Sequence, residues 1–363
     1  MAAAEAVAAV AAVAVAVVTD MFCNNYSRLL LQFHITGRCN LRCKHCYRED
    51  GDVENLTFDQ VADIINQFKI LLKKYNSINN VTVRGHINIT GGEPFIRSDI
   101  KKILELLGEN KKFFTYGILS NGSFIDEEII SLLKSTEVSF VQLSIDGDRK
   151  THDYLRAEGD YDRVFSVAEN LEENGIKTYI SFTANKENFK FLPIVAKECR
   201  KRKITKLWSD RLVPIGNGED LKNLAITKED LLSYVSCLKK ASGNIITQKL
   251  YPKTTVTKNR ALQFQNTDGE IYSCSAGRSL ITVDEFGNIL PCRRMPLVCG
   301  NVLKENLSDV YFNNEVFVKL RMNSIPEECI SCKYSYKCRG GAKCQSYALF
   351  NSFYKKDPAC PLK

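Results

Sequence analysis

Signals for export are missing from this chain. Its first twenty residues, MAAAEAVAAVAAVAVAVVTD, hold an apolar run but include Glu5 and have no basic start, unlike a secretory signal. That run is short and built of small side chains, so it does not read as a membrane span. No other stretch is apolar enough to cross a bilayer. The low complexity of residues 1–20 marks them as an appended leader or tag, outside the fold. Histidine is scarce: the four present, His34, His45, His86 and His152, share no metal-binding spacing, and none stands out as a catalytic base. A phosphate-cradling loop is absent as well. The formal charge of +8 is no sign of a nucleic-acid partner, because the run Arg200–Lys203 reads as the solvated end of a helix.

What the chain has in excess is cysteine. With export unsupported, its fourteen cysteines are expected to be metal ligands in a reducing cytoplasm rather than disulfides.

From about residue 29 to 225, short apolar segments alternate with helical patterns. Strands are expected over 29–35, 81–89, 113–119, 138–145, 177–184 and 206–213, apolar on both faces as buried parallel strands are. In the first helical pattern Thr57 and Gln60 form a capping-box pair, and Val61, Ile64, Phe68 and Leu71 recur at helical spacing. Six strand–helix units imply a parallel sheet with right-handed crossovers, too few to close an eight-fold barrel. The expected fold class is α/β: a partial (β/α)6 TIM-like barrel with a small cysteine-rich C-terminal iron–sulfur domain. Residues 21–225 form the barrel, 226–270 a bridging helical region and 271–363 the cysteine-rich domain. Chemistry in such a barrel sits at the C-terminal ends of the strands.

At the end of the first strand lies GRCNLRCKHCYRED, residues 37–50, with Cys39, Cys43 and Cys46 inside eight positions. Structural zinc wants four closed ligands and a disulfide wants two, so three clustered thiolates suit a metal centre with one open position. The triplet followed by Tyr47 resembles the cluster motif of the radical S-adenosylmethionine superfamily. That resemblance implies a 4Fe-4S cluster held by three thiolates, with S-adenosylmethionine on the fourth iron. The competing reading is a zinc or two-iron site completed from elsewhere in the chain.

Other strand ends fit the same resemblance. GGEP follows the second strand, and Gly91 and Gly92 would let backbone approach the methionine moiety closely. Glu93 would offer a carboxylate to the cofactor's amine or to a supporting arginine. LSNGS and LSIDG close the third and fourth strands, placing Asn121 and Ser144 toward ribose hydroxyls or the methionine group. Arg156, in THDYLR, resembles the arginine that pairs with the cofactor carboxylate. Asn185 and Arg211, near the fifth and sixth strand ends, are further candidates. His45 sits where the family commonly has an aromatic residue against adenine.

The tail holds eight cysteines among few periodic apolar residues, so metal binding would have to supply folding energy there. It reads Cys274, twelve residues, Gly287, four residues, Cys292, then Cys329-x2-Cys332-x5-Cys338-x5-Cys344, and last Cys360. This resembles the SPASM extension of the same superfamily, which carries two auxiliary 4Fe-4S clusters. One departure is the five-residue spacing in CRGGAKC, where three is usual. Carried over, Cys274, Cys292 and Cys344 bind the first auxiliary cluster, with Cys299 the candidate further ligand or else an open iron. Cys329, Cys332, Cys338 and Cys360 bind the second. Two zinc ribbons are the competing reading of the tail. Cys23, Cys199 and Cys237 fit neither pattern and are expected to be plain thiols. Four-thiolate clusters carry about −2 each and a three-thiolate cluster about −1, which would bring +8 down to about +3.

The resemblance implies three clusters, S-adenosylmethionine and cleavage of that cofactor to a 5′-deoxyadenosyl radical that abstracts hydrogen. The expected function is oxidative modification, by crosslinking or another edit, of a ribosomally made precursor peptide. An electron donor such as flavodoxin or ferredoxin is implied. With the first strand beginning near residue 29 there is no room for an N-terminal leader-recognition domain, so a separate leader-binding protein or the barrel and tail themselves would present the peptide. Neither nucleic acid nor membrane is an expected partner. Alternatives are a sulfatase-type maturase, a haem-pathway radical enzyme and a non-catalytic electron-transfer protein.

Overall fold

The computed structural model describes residues 28–49, 56–267, 269–322 and 325–362. The expected leader at 1–20 and Cys23 lie outside the described residues.

Six parallel strands form as the apolar runs require: β1 Arg28–His34, β2 Arg84–Thr90, β3 Phe114–Leu119, β4 Val141–Ser144, β5 Thr178–Ala184 and β6 Lys206–Arg211. The helices between them cover the outer face. In α1, Phe58–Asn79, the capping box is present, with Thr57 Oγ1 accepting from Gln60 N at 3.2 Å and Gln60 Oε1 accepting from Thr57 N at 2.8 Å. Val61, Ile64, Phe68 and Leu71 are all buried, and Asn80 ends the helix in the left-handed conformation. Helices α2 Ile100–Glu109, α3 Glu127–Ser135, α4 Arg149–Leu155, α5 Asp160–Glu173 and α6 Leu192–Lys201 complete the crossovers. The fold is therefore the open α/β barrel expected, with the apolar core between the sheet and its helices.

The sheet extends beyond six strands. After α7 Lys228–Ser242 and α8 Ile245–Leu250, a short β7, Thr255–Thr257, adds in parallel to β6. At the other edge β8, Leu280–Val283, runs parallel to β1, and it continues antiparallel into β9 Asn288–Leu290 and β10 Gly300–Asn301. The order is β10-β9-β8-β1-β2-β3-β4-β5-β6-β7, so a single ten-stranded sheet passes into the cysteine-rich tail without a break. Segments of three or four residues are too short to show a two-residue period, and for this reason the alternation stops near residue 225 in the sequence while the sheet does not. Among the described residues, four short α-helices complete the tail: α9 Leu307–Asn313, α10 Glu315–Arg321, α11 Ser335–Cys338 and α12 Lys343–Phe350.

Inside the barrel the strands are more polar than two apolar faces would give. His86 hydrogen-bonds Thr115 Oγ1 at 2.7 Å and Asn88 Oδ1 at 3.0 Å and stacks on Phe140, which in turn stacks on Tyr179. Gly117 leaves room for this stack, since a Cβ there would stand 2.6 Å from the Phe140 ring. Above it Trp208 Nε1 donates to Gln142 Oε1 at 3.0 Å. Trp208 and Gln142 line the cavity described next. Among the described residues no helix is long and apolar enough to cross a membrane.

Candidate active site

After β1 the chain crosses the C-terminal ends of the strands, and several neighbouring turns pin its backbone. Gly92 N donates to Thr36 O at 2.9 Å, and Glu93 N to Arg38 O at 2.8 Å. Lys44 N donates to Leu155 O at 2.9 Å, and Gly218 N to Cys46 O at 2.9 Å. The GGEP glycines belong to this fastening. A Cβ on Gly91, whose φ is +151°, would lie 2.3 Å from Thr36 O, and one on Gly92 would lie 2.1 Å from Arg38 O. Both glycines thus make a close approach to the cysteine loop. Gly216, at φ +57°, does the same from behind β6, where a Cβ would stand 2.5 Å from the Tyr47 carbonyl carbon. Sequence reasoning missed this second brace, whose only signal was the paired glycines of PIGNG.

Cys39, Cys43 and Cys46 open onto one cavity of about 200 Å3 at the strand ends. Gly91, Gly92, Asn121, Ser144 and Arg156 line it too, so five of the six expected cofactor-site residues meet the three thiols there. Asn121 Nδ2 lies 3.9 Å from Cys39 Sγ and donates to Asn40 Oδ1 at 2.8 Å. Ser144 and Ser181 share a hydroxyl–hydroxyl hydrogen bond of 3.1 Å. Arg156 Nη1 stands 3.7 Å from Cys43 Sγ, while its Nε donates to Asp146 Oδ2 at 2.6 Å. Burial pushes the Cys43 thiol up to about 11, with the guanidinium opposing it. Asp146 is wholly buried; burial acts to raise it, yet Arg156 and then His45 hold it well below the usual carboxylate range. His45 Nε2 lies 3.2 Å from Asp146 Oδ2 and 3.3 Å from Arg156 Nη2. Asp146 is the second residue sequence reasoning missed, though it sits inside the LSIDG strand end.

The sixth residue, Glu93, stands behind the cavity. Its Oε1 accepts from Ser120 Oγ at 2.8 Å and Phe95 N at 3.2 Å, and its Oε2 accepts from Asn121 N at 2.7 Å. Burial raises its pKa to about 7, against these hydrogen bonds. It ties the second strand end to the third and orients Asn121. Asn185 is likewise taken up locally, accepting from Glu187 N at 2.9 Å and Asn188 N at 3.0 Å. Arg211 reaches the cavity wall but is paired with Asp357 through 2.8 and 2.6 Å hydrogen bonds, both side chains buried.

In the tail Cys329, Cys332, Cys338 and Cys360 line one small cavity. Cys274, Cys292 and Cys344 form a second group: burial raises the Cys344 thiol well above its ordinary value, and Cys292 and Cys274 push it further. Cys299 stands apart from that trio. Its Sγ donates to Leu297 O at 3.4 Å, and burial alone pushes it up to about 12 with no other cysteine contributing. The long CRGGAKC spacing is taken up by three left-handed residues in succession, Arg339, Gly340 and Gly341. Asp357 clasps that loop, accepting from Ala342 N at 2.9 Å. Cys344 therefore still meets Cys274 and Cys292. Cys199 is buried in the barrel core. All thirteen described cysteines are free thiols. Among the described residues no three His, Cys, Asp or Glu close on a single ion.

An open parallel barrel with a three-thiol loop over a polar cavity, and two further thiol groups in its tail, defines a cofactor-dependent iron–sulfur protein. Residues 33–192 match the Radical SAM superfamily, and residues 274–333 match the SPASM iron-sulfur cluster-binding domain. The chain thus carries a radical S-adenosylmethionine domain followed by a SPASM-type extension. It is 24% identical to Fe-coproporphyrin III synthase of Methanosarcina barkeri, over 91% of this chain and 87% of that protein. It is 26% identical to the mycofactocin maturase MftC of Mycolicibacterium smegmatis, over 92% of this chain and 82% of that protein. Its fold is similar to that of Streptococcus suis SuiB bound to S-adenosylmethionine, with a TM-score of 0.69 at 20% identity, covering 92% of this chain and 77% of that one. The donor sets fit such groups: soft thiols, with a guanidinium and an amide N–H aimed at two of the three barrel sulfurs.

Proposed function

We propose that the chain modifies a ribosomally made precursor peptide by radical chemistry initiated on S-adenosylmethionine, with an oxidative crosslink as the expected edit. The observation that carries this reading is the reach of the cavity. The space that holds the three barrel thiols is walled on its far side by Arg293 and Arg294, the residues directly after Cys292 of the tail trio. A substrate in it lies between a site where hydrogen is abstracted and a site able to take the electron left behind. The ends of the sheet, β7 and β10, do not pair, which leaves an open side suited to a chain-like substrate. The names of MftC and of SuiB bound to precursor peptide SuiA favour the same class.

Cys39, Cys43 and Cys46 would hold a 4Fe-4S cluster, and the chemistry such a group would supply is one-electron reductive cleavage of S-adenosylmethionine. The chain's own residues position and insulate. Arg156, fixed by Asp146, sets positive charge beside Cys43. Asn121, held by Glu93, and Ser144, held by Ser181, present polar groups to the cofactor. The Trp208–Gln142 floor closes the site from below. The tail trio and quartet are assigned to two auxiliary clusters, three clusters in all. Residues 21–225, 226–270 and 271–363 act as radical, bridging and auxiliary regions of this cytoplasmic enzyme. A flavodoxin or ferredoxin supplies electrons, and either a separate leader-binding protein or the barrel and tail themselves present the peptide.

A second reading rests on Arg293, whose guanidinium lies over the Tyr47 ring and pairs with no described carboxylate. Such a cation suits an acidic small molecule, and Fe-coproporphyrin III synthase is among the relatives.

The test is anaerobic incubation with S-adenosylmethionine, a reductant, a precursor peptide and a leader-binding partner. Expected are 5′-deoxyadenosine and a peptide lighter by two hydrogens per crosslink. Alanine at Cys39, Cys43 and Cys46 together should abolish cleavage and remove about four of about twelve irons. Turnover of a tetrapyrrole, with peptide mass and heavy-water label unchanged, would overturn the peptide reading.

A further inference from the structure

Lys343 opens α12 and precedes Cys344, and its ammonium has no hydrogen-bond partner although the residue is only 7% exposed. An ammonium withdrawn from water without a counter-charge is strongly disfavoured, so its retention calls for a ligand-side explanation. Its surroundings supply one. The Lys343 backbone N–H donates to the Cys274 sulfur, which belongs to the tail trio. The side chain reaches Gly340, where a Cβ would lie 3.8 Å from Nζ, and Gly340 lines the small cavity of Cys329, Cys332, Cys338 and Cys360. There it comes within electrostatic reach of Cys329 and Cys338 of the tail quartet. Burial pulls the lysine's pKa down, while Cys274, Cys329 and Cys338 pull it back up and the nearby Arg339 opposes them. One cation thus stands between two groups of thiols that sequence spacing alone keeps separate.

We propose that Lys343 is a positioning residue shared by the two auxiliary cluster sites, its ammonium placing one positive charge beside both and stabilising added negative charge at each. The proposal rests on the auxiliary-cluster reading given above. It requires both potentials to depend on this single side chain.

The test uses the Cys39, Cys43 and Cys46 to Ala protein, so that only auxiliary clusters report, with Lys343→Gln and Lys343→Arg built into it. Dithionite delivers one electron to each cluster, with no atom transferred, and electron paramagnetic resonance follows the reduced form during a potentiometric titration. In Lys343→Gln the reduced state of both clusters should be disfavoured by about tenfold, a midpoint about 59 mV more negative. Lys343→Arg should keep both potentials near the parent values. If Lys343→Gln instead loses iron from both sites while Lys343→Arg stays loaded, the shared-charge role is equally supported. Unchanged potentials in a fully loaded Lys343→Gln, a shift at only one cluster, or equal iron loss in both variants would overturn it. A parent without auxiliary iron would overturn the cluster reading along with it.

Discussion

Asp357→Asn is the substitution most informative about how barrel and tail hold together. The carboxylate accepts four hydrogen bonds: 2.8 and 2.6 Å from Arg211, 2.9 Å from Ala342 N and 3.1 Å from Ala359 N. Asn keeps one acceptor oxygen and turns an NH2 toward either the guanidinium or a backbone N–H, both of which are donors. It also leaves Arg211, which is 2% exposed, without its charge partner. Breaking one side of a buried pair costs about 3–5 kcal/mol. For a chain of this size that amounts to a fall of roughly 4–7 °C in apparent Tm. Calorimetry of the reconstituted protein reads the fall. Iron content should drop as well, because the clasped loop joins Cys338 to Cys344. Arg211→Met combined with Asp357→Leu should recover part of the stability, since an apolar pair leaves no buried charge behind although it strands the Ala342 and Ala359 N–H groups. A Tm within about 2 °C of the parent for Asp357→Asn, or a double variant as unstable as the single, would refute the reasoning.

Gly92→Ala should displace the cysteine loop, because the added Cβ would lie 2.1 Å from Arg38 O. Iron analysis should then show about four irons lost per chain with the auxiliary sites still loaded; full loading would count against the brace. His86 predicts a pH effect whose sign is fixed by its environment. Burial, with Arg28 adding to it, lowers its pKa to about 4, so below about 6.5 the unfolded chain takes up a proton that the native state refuses. Stability should therefore fall by about 3 kcal/mol more between pH 6.5 and 4 in the parent than in His86→Gln, read from denaturant midpoints, and parallel pH curves would remove the argument.

What the sequence determined by itself is what local pattern encodes. The capping box at Thr57 and Gln60 and the buried stripe of α1 depend on neighbours within a few turns, and both are present. Six parallel strands and the grouping of Cys39, Cys43 and Cys46 at the first strand end were legible for the same reason. Only the tertiary structure decided how distant segments share one side chain. Gly92 spares room for the cysteine loop, Glu93 orients Asn121 from behind, and Arg211 turns from the cofactor toward Asp357. Asp146 and the Gly216 brace become visible once strand ends converge, since neither carries a periodic signal. The tail follows the same logic. Spacing named its ligand candidates, but only folding separates Cys299 from Cys274, Cys292 and Cys344, shows Asp357 absorbing the long CRGGAKC loop, and leaves Lys343 between two thiol groups. Periodicity reports which face of an element is buried, whereas the partner across that face is chosen by packing among segments hundreds of residues apart.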